Sequence, residues 1–137
     1  MIIDASNLVL GRIATKAAKS ALMGEEIYIV NCENAVVTGS KEFIVSEYIR
    51  KRDMGTFKGP IFFRSPEKFV KRAIRGMLPR KKDKGMNAFR RIKCYMGVPD
   101  EFKKKKMETI KEANISKISE LKYMRIKDLC KILGAKI

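Results

Sequence analysis

The chain has 137 residues, 45% of them hydrophobic, with 31 Lys and Arg against 15 Asp and Glu, three cysteines and no histidine, for a net charge of +16. Length and apolar content predict one domain of ordinary size over residues 1–137 with a real core, and exclude a disordered basic tail. The missing histidine excludes Ser-His-Asp and Cys-His catalysis and the metalloprotease helix motif, leaving only carboxylates, lysine or a cofactor for any chemistry.

Residues 2–3 and 27–30 are rich in Ile and Val and predict short buried strands. Between them lies a helix of about three turns. Ile13, Ala14, Ala17, Ala18, Ala21 and Leu22 fill one half of its wheel, and Arg12, Lys16 and Lys19 take the other. Gly24 stands at the C-cap. The order strand–helix–strand predicts a parallel βαβ unit with a right-handed crossover. Residues 35–38 predict a further strand. Ser40 then caps a second helix with Phe43, Ile44 and Tyr48 inward.

Residues 61–63 form another strand candidate. Ser65-Pro66 opens a third helix, the serine accepting from free N–H groups and the proline preset for the first turn. Phe69, Val70, Ala73, Ile74 and Met77 share one half of its wheel; Lys68, Lys71, Arg72 and Arg75 share the other. Pro79 stops it. Asn87 to Arg91 predicts a short helix, Ile92 to Met96 a strand, and 97–106 a loop. Ile126, Leu129, Cys130 and Leu133 mark a last helix ended by Gly134.

The charge is not evenly spread. Residues 50–106 hold 20 of the 31 cations and 5 of the 15 acids, so the segments 1–49, 50–106 and 107–137 carry −2, +15 and +3. So concentrated a field repels itself unless a polyanion neutralises it, and nucleic acid is the obvious one. Ordinary surfaces mix both signs. Here all four outward positions named on the third helix are cationic, and Arg80, Lys81, Lys82 and Lys84 follow. The expected RNA-binding set is Arg12, Arg64, Lys68, Lys71, Arg72, Arg75, Gly76, Arg80, Lys81, Lys82, Lys84, Arg90, Arg91 and Lys93. Gly76 and Gly85 would let RNA backbone approach closely. Phe57, Phe62, Phe63, Phe89 and Tyr95 could stack on bases, with core packing the expected role for most and Phe57 and Phe89 the least settled. The run Lys103–Lys106 reads equally as a solvated segment or a non-specific phosphate contact.

Other sites are weaker. Thr38-Gly39-Ser40-Lys41 follows a strand and opens a helix, yet lacks phosphate-loop spacing, so an N-cap is expected rather than a nucleotide site. The adjacent acids Glu25-Glu26 and Asp100-Glu101 read as solvated turns. Cys32, Cys94 and Cys130 form no Cys-x-x-Cys pair and, with no histidine, no zinc site; reduced buried thiols are expected. The apolar runs are too short for a membrane-spanning helix, and Asp4 interrupts any signal-peptide pattern. No catalytic residue, metal, cofactor, small-molecule substrate or membrane partner is expected.

Three blocks resemble a known family. The first is Asp4-Ala5 with Leu10-Gly11-Arg12-Ile13-Ala14-Thr15. The second is Val30-Asn31-Cys32-Glu33 with Thr38-Gly39-Ser40-Lys41. The third is Arg64-Ser65-Pro66, Arg75-Gly76-Met77-Leu78-Pro79, Gly85, Ala88, Arg91 and Tyr95-Met96-Gly97-Val98-Pro99. Together they are similar to large-subunit ribosomal protein thirteen in its archaeal and eukaryotic branch, with departures at Thr15, Cys94 and Met96. The resemblance implies a three-layer α/β/α fold with a small, mainly parallel four-stranded sheet. It implies a non-enzymatic, cytoplasmic component of the ribosome that binds large-subunit ribosomal RNA beside neighbouring ribosomal proteins and supports assembly. It turns the Arg-Gly-Met-Leu-Pro region toward RNA, here Arg75, Gly76, Arg80, Lys81 and Lys82. Two other readings stay open on composition alone: a free RNA- or DNA-binding regulator, and a nucleotide-dependent enzyme using Gly39-Ser40-Lys41.

Overall fold

The computed structural model describes residues 1–55, 57, 62–119 and 122–137. In chain order its elements are β1 (Ile2–Asp4), α1 (Leu10–Leu22), β2 (Ile27–Val30), β3 (Val36–Thr38), α2 (Lys41–Asp53), α3 (Pro66–Gly76), α4 (Asp83–Arg90), β4 (Ile92–Cys94), α5 (Asp100–Lys103), β5 (Tyr123–Arg125) and α6 (Ile126–Ile132).

The βαβ unit forms as its pattern dictates. β1 and β2 pair in parallel, Ile3 opposite Ile29, and α1 connects them. The alanine face of α1 is buried (Ala14, Ala17, Ala18 and Ala21), so α3 and α4 can pack closely against it. Gly24 ends the helix at φ +105°, where its N–H donates to the Ala21 carbonyl and the Glu25 N–H to that of Ser20. That 5→2 and 6→1 pair is the Schellman arrangement, and a side chain at this φ would be strained.

The sheet order is β1–β2–β4, all parallel. Alternation sorts its side chains onto two faces. Ile3, Ile27, Ile29 and Ile92 meet Ile13, Ala17, Phe69, Val70 and Ile74 of α1 and α3 in the main core. Ile2 and Val30 point the other way, onto Phe102 of α5, with Tyr28, Tyr95 and Met107 around them. The Phe102 ring lies 4.9 Å from that of Tyr28 and 5.8 Å from that of Tyr95.

Four expectations change here. Instead of a four-stranded sheet, three parallel strands form, and β3 pairs antiparallel with β5 in a separate ribbon. Among the described residues, the outer edge of β1 carries a one-residue parallel bridge, Ile3 to Glu108, with hydrogen bonds of 3.1 and 2.8 Å. The physical reason is that strand propensity is local while the choice of partner is not. Second, 97–106 is not all loop: α5 sits within it, opened by Pro99 and with Asp100 and Glu101 in its first turn, where anions suit the helix dipole. Third, the short helix predicted at 87–91 begins earlier, at Asp83. Fourth, Phe43 is 67% exposed, although Ile44 and Tyr48 of the same helix turn inward as expected. In the candidate strand 61–63, residue 61 lies outside the described residues and Phe62 and Phe63 are not in a strand.

Candidate nucleic-acid interface

α3 is the scaffold of the basic face. Its Phe69, Val70 and Ile74 are buried and hold it on the sheet, which turns Lys68, Lys71, Arg72 and Arg75 outward. Two details differ from expectation. Met77 is 45% exposed, its sulfur 3.6 Å from the Thr15 hydroxyl of α1. Ser65 holds the N-cap backbone position, but its hydroxyl caps nothing and is buried without a hydrogen-bond partner among the described residues.

The turn after α3 is anchored from below. Leu78 is buried, the Arg80 N–H donates to the Leu78 carbonyl (2.8 Å) and the Lys82 N–H to that of Pro79 (3.0 Å). Arg80, Lys81 and Lys82 are then exposed on a fixed backbone. Gly85 makes this possible. A Cβ there would lie 2.2 Å from the Pro79 carbonyl oxygen, a distance no side chain tolerates. The glycine thus serves the close packing of α4 on the turn, not an approach of RNA. Gly76 has nothing within 4 Å of where its Cβ would stand, so its surface is open.

Aromatic rings flank α3 on both sides. Lys68 Nζ lies 5.6 Å from the centre of the Phe63 ring and Lys71 Nζ 5.0 Å from that of Phe89. On the other flank the Arg72 guanidinium lies 4.4 Å from the Phe62 ring, which packs with Tyr48 and Phe69. Two shallow hollows result: about 300 Å³ beside Tyr48, Phe62 and Gly76, and about 360 Å³ between Phe63 and Phe89.

What separates this face from the cations at the end of α2 is pairing. Arg50 and Lys51 of α2 bond to Glu47 at 2.9 and 3.1 Å, and Arg52 to Asp53 at 2.8 Å. The two bonds from Arg50 and Lys51 hold the Glu47 carboxyl down to about 2. Among the described residues, Lys68, Lys71, Arg75, Arg80, Lys81, Lys82, Lys84 and Arg90 form no ion pair. On α2 Glu47 stands three and four positions before Arg50 and Lys51 and takes both; on α3 Glu67 stands four before Lys71, yet Lys71 lies over the Phe89 ring instead.

The remaining predicted residues are not all on this face. Lys93 sits opposite Tyr28 in the sheet register, 5.6 Å from that ring, on the α5 side. Arg91 is half-buried and donates to the Ala21 carbonyl at 3.3 Å, closing the end of α1. Arg12 is exposed but donates to the Glu112 carbonyl. Arg64 is exposed just before α3, where a methyl group on Gly134 would come within 3.2 Å of its Nη1. Lys103 pairs with Asp100 at 2.6 Å, and Lys105 lies 5.4 Å from the Phe102 ring, again on the α5 side. Phe57 is fully exposed and Phe63 is 38% exposed, so neither is a core ring.

The other candidate sites have structural duties. The Gly39 N–H donates to the Lys122 carbonyl and the Phe43 N–H to the Ser40 hydroxyl, so the fold itself engages two N–H groups at the start of α2. Glu26 accepts from the Tyr28 hydroxyl at 2.7 Å. The Cys32 thiol donates to the Ile29 carbonyl at 3.6 Å; the neighbouring Cys94, far away in sequence, and burial push the Cys32 thiol up. Burial pushes Cys130 up to about 12, so Cys32 and Cys130 are poor nucleophiles at neutral pH. Among the described residues no helix is long and apolar enough to cross a membrane.

A family model described as Ribosomal protein L13 matches residues 1–101. The chain belongs to that family. It is 44% identical over 135 residues to the large ribosomal subunit protein uL13 of Archaeoglobus fulgidus, covering 97% of this chain and 86% of that protein. It is 43% identical to the uL13 protein of Methanococcoides burtonii and 42% to that of Methanocaldococcus jannaschii, with 98% of both chains covered in each case. Membership makes the chain a ribosomal protein, structural rather than enzymatic. Its motif blocks also meet in space. The Asn31 N–H donates to the Gly97 carbonyl, the Cys32 N–H to that of Tyr95, and the Gly97 N–H to the Glu33 carboxylate at 3.1–3.2 Å. Gly97 adopts φ +63° to do so.

Proposed function

We propose that the α3–α4 face is the surface by which this ribosomal protein grips large-subunit ribosomal RNA. The carrying observation is a run of cations from Lys68 to Arg90 that, Arg72 aside, form no ion pair among the described residues, on a helix and turn whose other sides are locked into the core. Such charge is not neutralised within the fold, and phosphate is the ligand that neutralises it. The protein is a structural component of the large ribosomal subunit, located in the ribosomes of the cytoplasm. Its job in this reading is to sit between RNA segments, cancel the repulsion of their phosphates and so support assembly, beside other proteins of that subunit.

The whole chain of 137 residues acts as one platform for that face. We read it as three layers: α1 and α3, then the three-stranded sheet with the Glu108 bridge in the fourth position, then α5. Arg75, Arg80, Lys81 and Lys82 carry the phosphate contacts, supported by Lys68, Lys71, Arg72, Lys84 and Arg90, with Gly76 leaving room for backbone. Arg64 extends the face at its start. Arg12, Arg91 and Lys93 contribute field rather than contact. Recognition is of backbone and shape, since A-form duplexes hide their base edges.

Replacing Arg72, Arg75, Arg80 and Lys81 together by Gln tests this. Affinity for large-subunit ribosomal RNA should fall at least about 100-fold at low salt, with a native circular dichroism spectrum. Unchanged affinity would mean that a different face binds.

A further inference from the structure

We infer that the hollow between Phe63 and Phe89 takes one unstacked base of the bound RNA, while Lys68, Lys71 and Arg75 hold the phosphates on either side. This rests on the RNA-binding reading and adds a local preference to it. The two rings come from different elements. Phe63 precedes α3 and Phe89 lies in the last turn of α4, and α3 supplies the floor between them. Among the described residues that line the hollow, Lys68, Lys71, Arg72 and Arg75 are cations and none is acidic.

A surface that met only phosphates would have no use for two exposed or half-exposed rings, since apolar area left in water carries a cost. A duplex cannot use them either, because its base faces are already stacked. An extruded or bulged base can, because every base has a flat π face, and aromatic stacking tolerates any sequence. The lysines fit the same picture. Each already lies over one ring at 5.0–5.6 Å, so each ring face is reachable from solvent. A lysine drawn from ring to phosphate by its long stem would uncover the face for a base. A second copy of this chain is a poor occupant, because both partners would bring a charge of +16.

The test uses the full chain and two RNA hairpins, identical except that one carries a single bulged 2-aminopurine. Tighter binding of the bulged hairpin by about five-fold or more, with quenching of the 2-aminopurine fluorescence, supports the inference. The double variant Phe63→Leu, Phe89→Leu keeps apolar volume but removes the stacking faces, and the ratio of the two affinities should then fall to about one. Phe57→Leu, at the fully exposed ring outside the hollow, should keep the preference. Equal, salt-sensitive affinities for the two hairpins would overturn this inference and leave the phosphate reading standing. A preference that survives the double variant would also overturn it. No affinity for either hairpin would overturn both.

Discussion

Two stretches of this chain look alike as sequence and differ as structure. Arg50, Lys51 and Arg52 end α2, and Lys68 to Lys84 run along α3 and the following turn; both lie in the segment of charge +15. The α2 cations turn back on Glu47 and Asp53. The α3 cations have the core behind them and, Arg72 aside, no ion-pair partner among the described residues. Counting charge finds a region, but a binding face is charge that the fold leaves unsatisfied and holds in place. Preorganisation matters because a phosphate then pays little to order the side chains it meets.

The largest effect that could break this comparison is the hundred-fold loss expected from the α3–turn substitution. Next is Gly85→Ala. The new methyl group must push the Pro79 carbonyl away, which should cost about 1–3 kcal/mol and displace Arg80 to Lys82. Thermal unfolding and RNA affinity should both suffer; an unchanged Tm would show that the turn is not held as described. Smaller still is the matching change on α2. With Arg50, Lys51 and Arg52 all replaced by Gln, affinity should stay within about three-fold of the parent. A loss as large as that on α3 would erase the distinction.

The smallest effect sharpens it. Glu47→Gln frees Arg50 and Lys51, and binding by filter assay should rise about two-fold. The same pair can be watched by pH. Because the folded-state carboxyl of Glu47 is lowered from the ordinary 4.5 to about 2, its stabilisation is present above the ordinary value and is lost as pH falls through about 2. An NMR titration of the Glu47 carboxyl should therefore show a midpoint well under the usual range. A midpoint near 4.5 would mean that the α2 cations are free in solution, and the contrast would fail.

Much of this was legible in residues alone, and the limits have physical causes. The alanine face of α1, its Gly24 stop and the Pro66 start of α3 are local signals, read within a few residues. The opposed halves of α3 follow from the same helical spacing. The partner of β3 is not local: Val36 meets Arg125, which no spacing rule connects. Phe102 carried no periodic signal, yet it plugs the second face of the sheet. The helix predicted from Asn87 left out Gly85, a poor helix former, and the Pro79 carbonyl explains why glycine belongs in α4. In the site, the cations were visible and their pairing was half visible. Glu47 at three and four positions before Arg50 and Lys51 was a signal in plain view. Arg91 and Arg12, turned to the carbonyls of Ala21 and Glu112, gave none.

The central claim is that the cations of α3 and its turn meet phosphates, and the salt dependence of binding tests it most directly. If about 6–10 phosphates are neutralised, affinity for large-subunit ribosomal RNA should drop by about 10³–10⁵ between 50 and 200 mM salt. Substituting Arg72, Arg75, Arg80 and Lys81 should lower the logarithmic slope by about four, and substituting the three α2 cations by less than about one. A binding isotherm flat across that range, or a slope lowered equally by both sets of substitutions, would contradict the account.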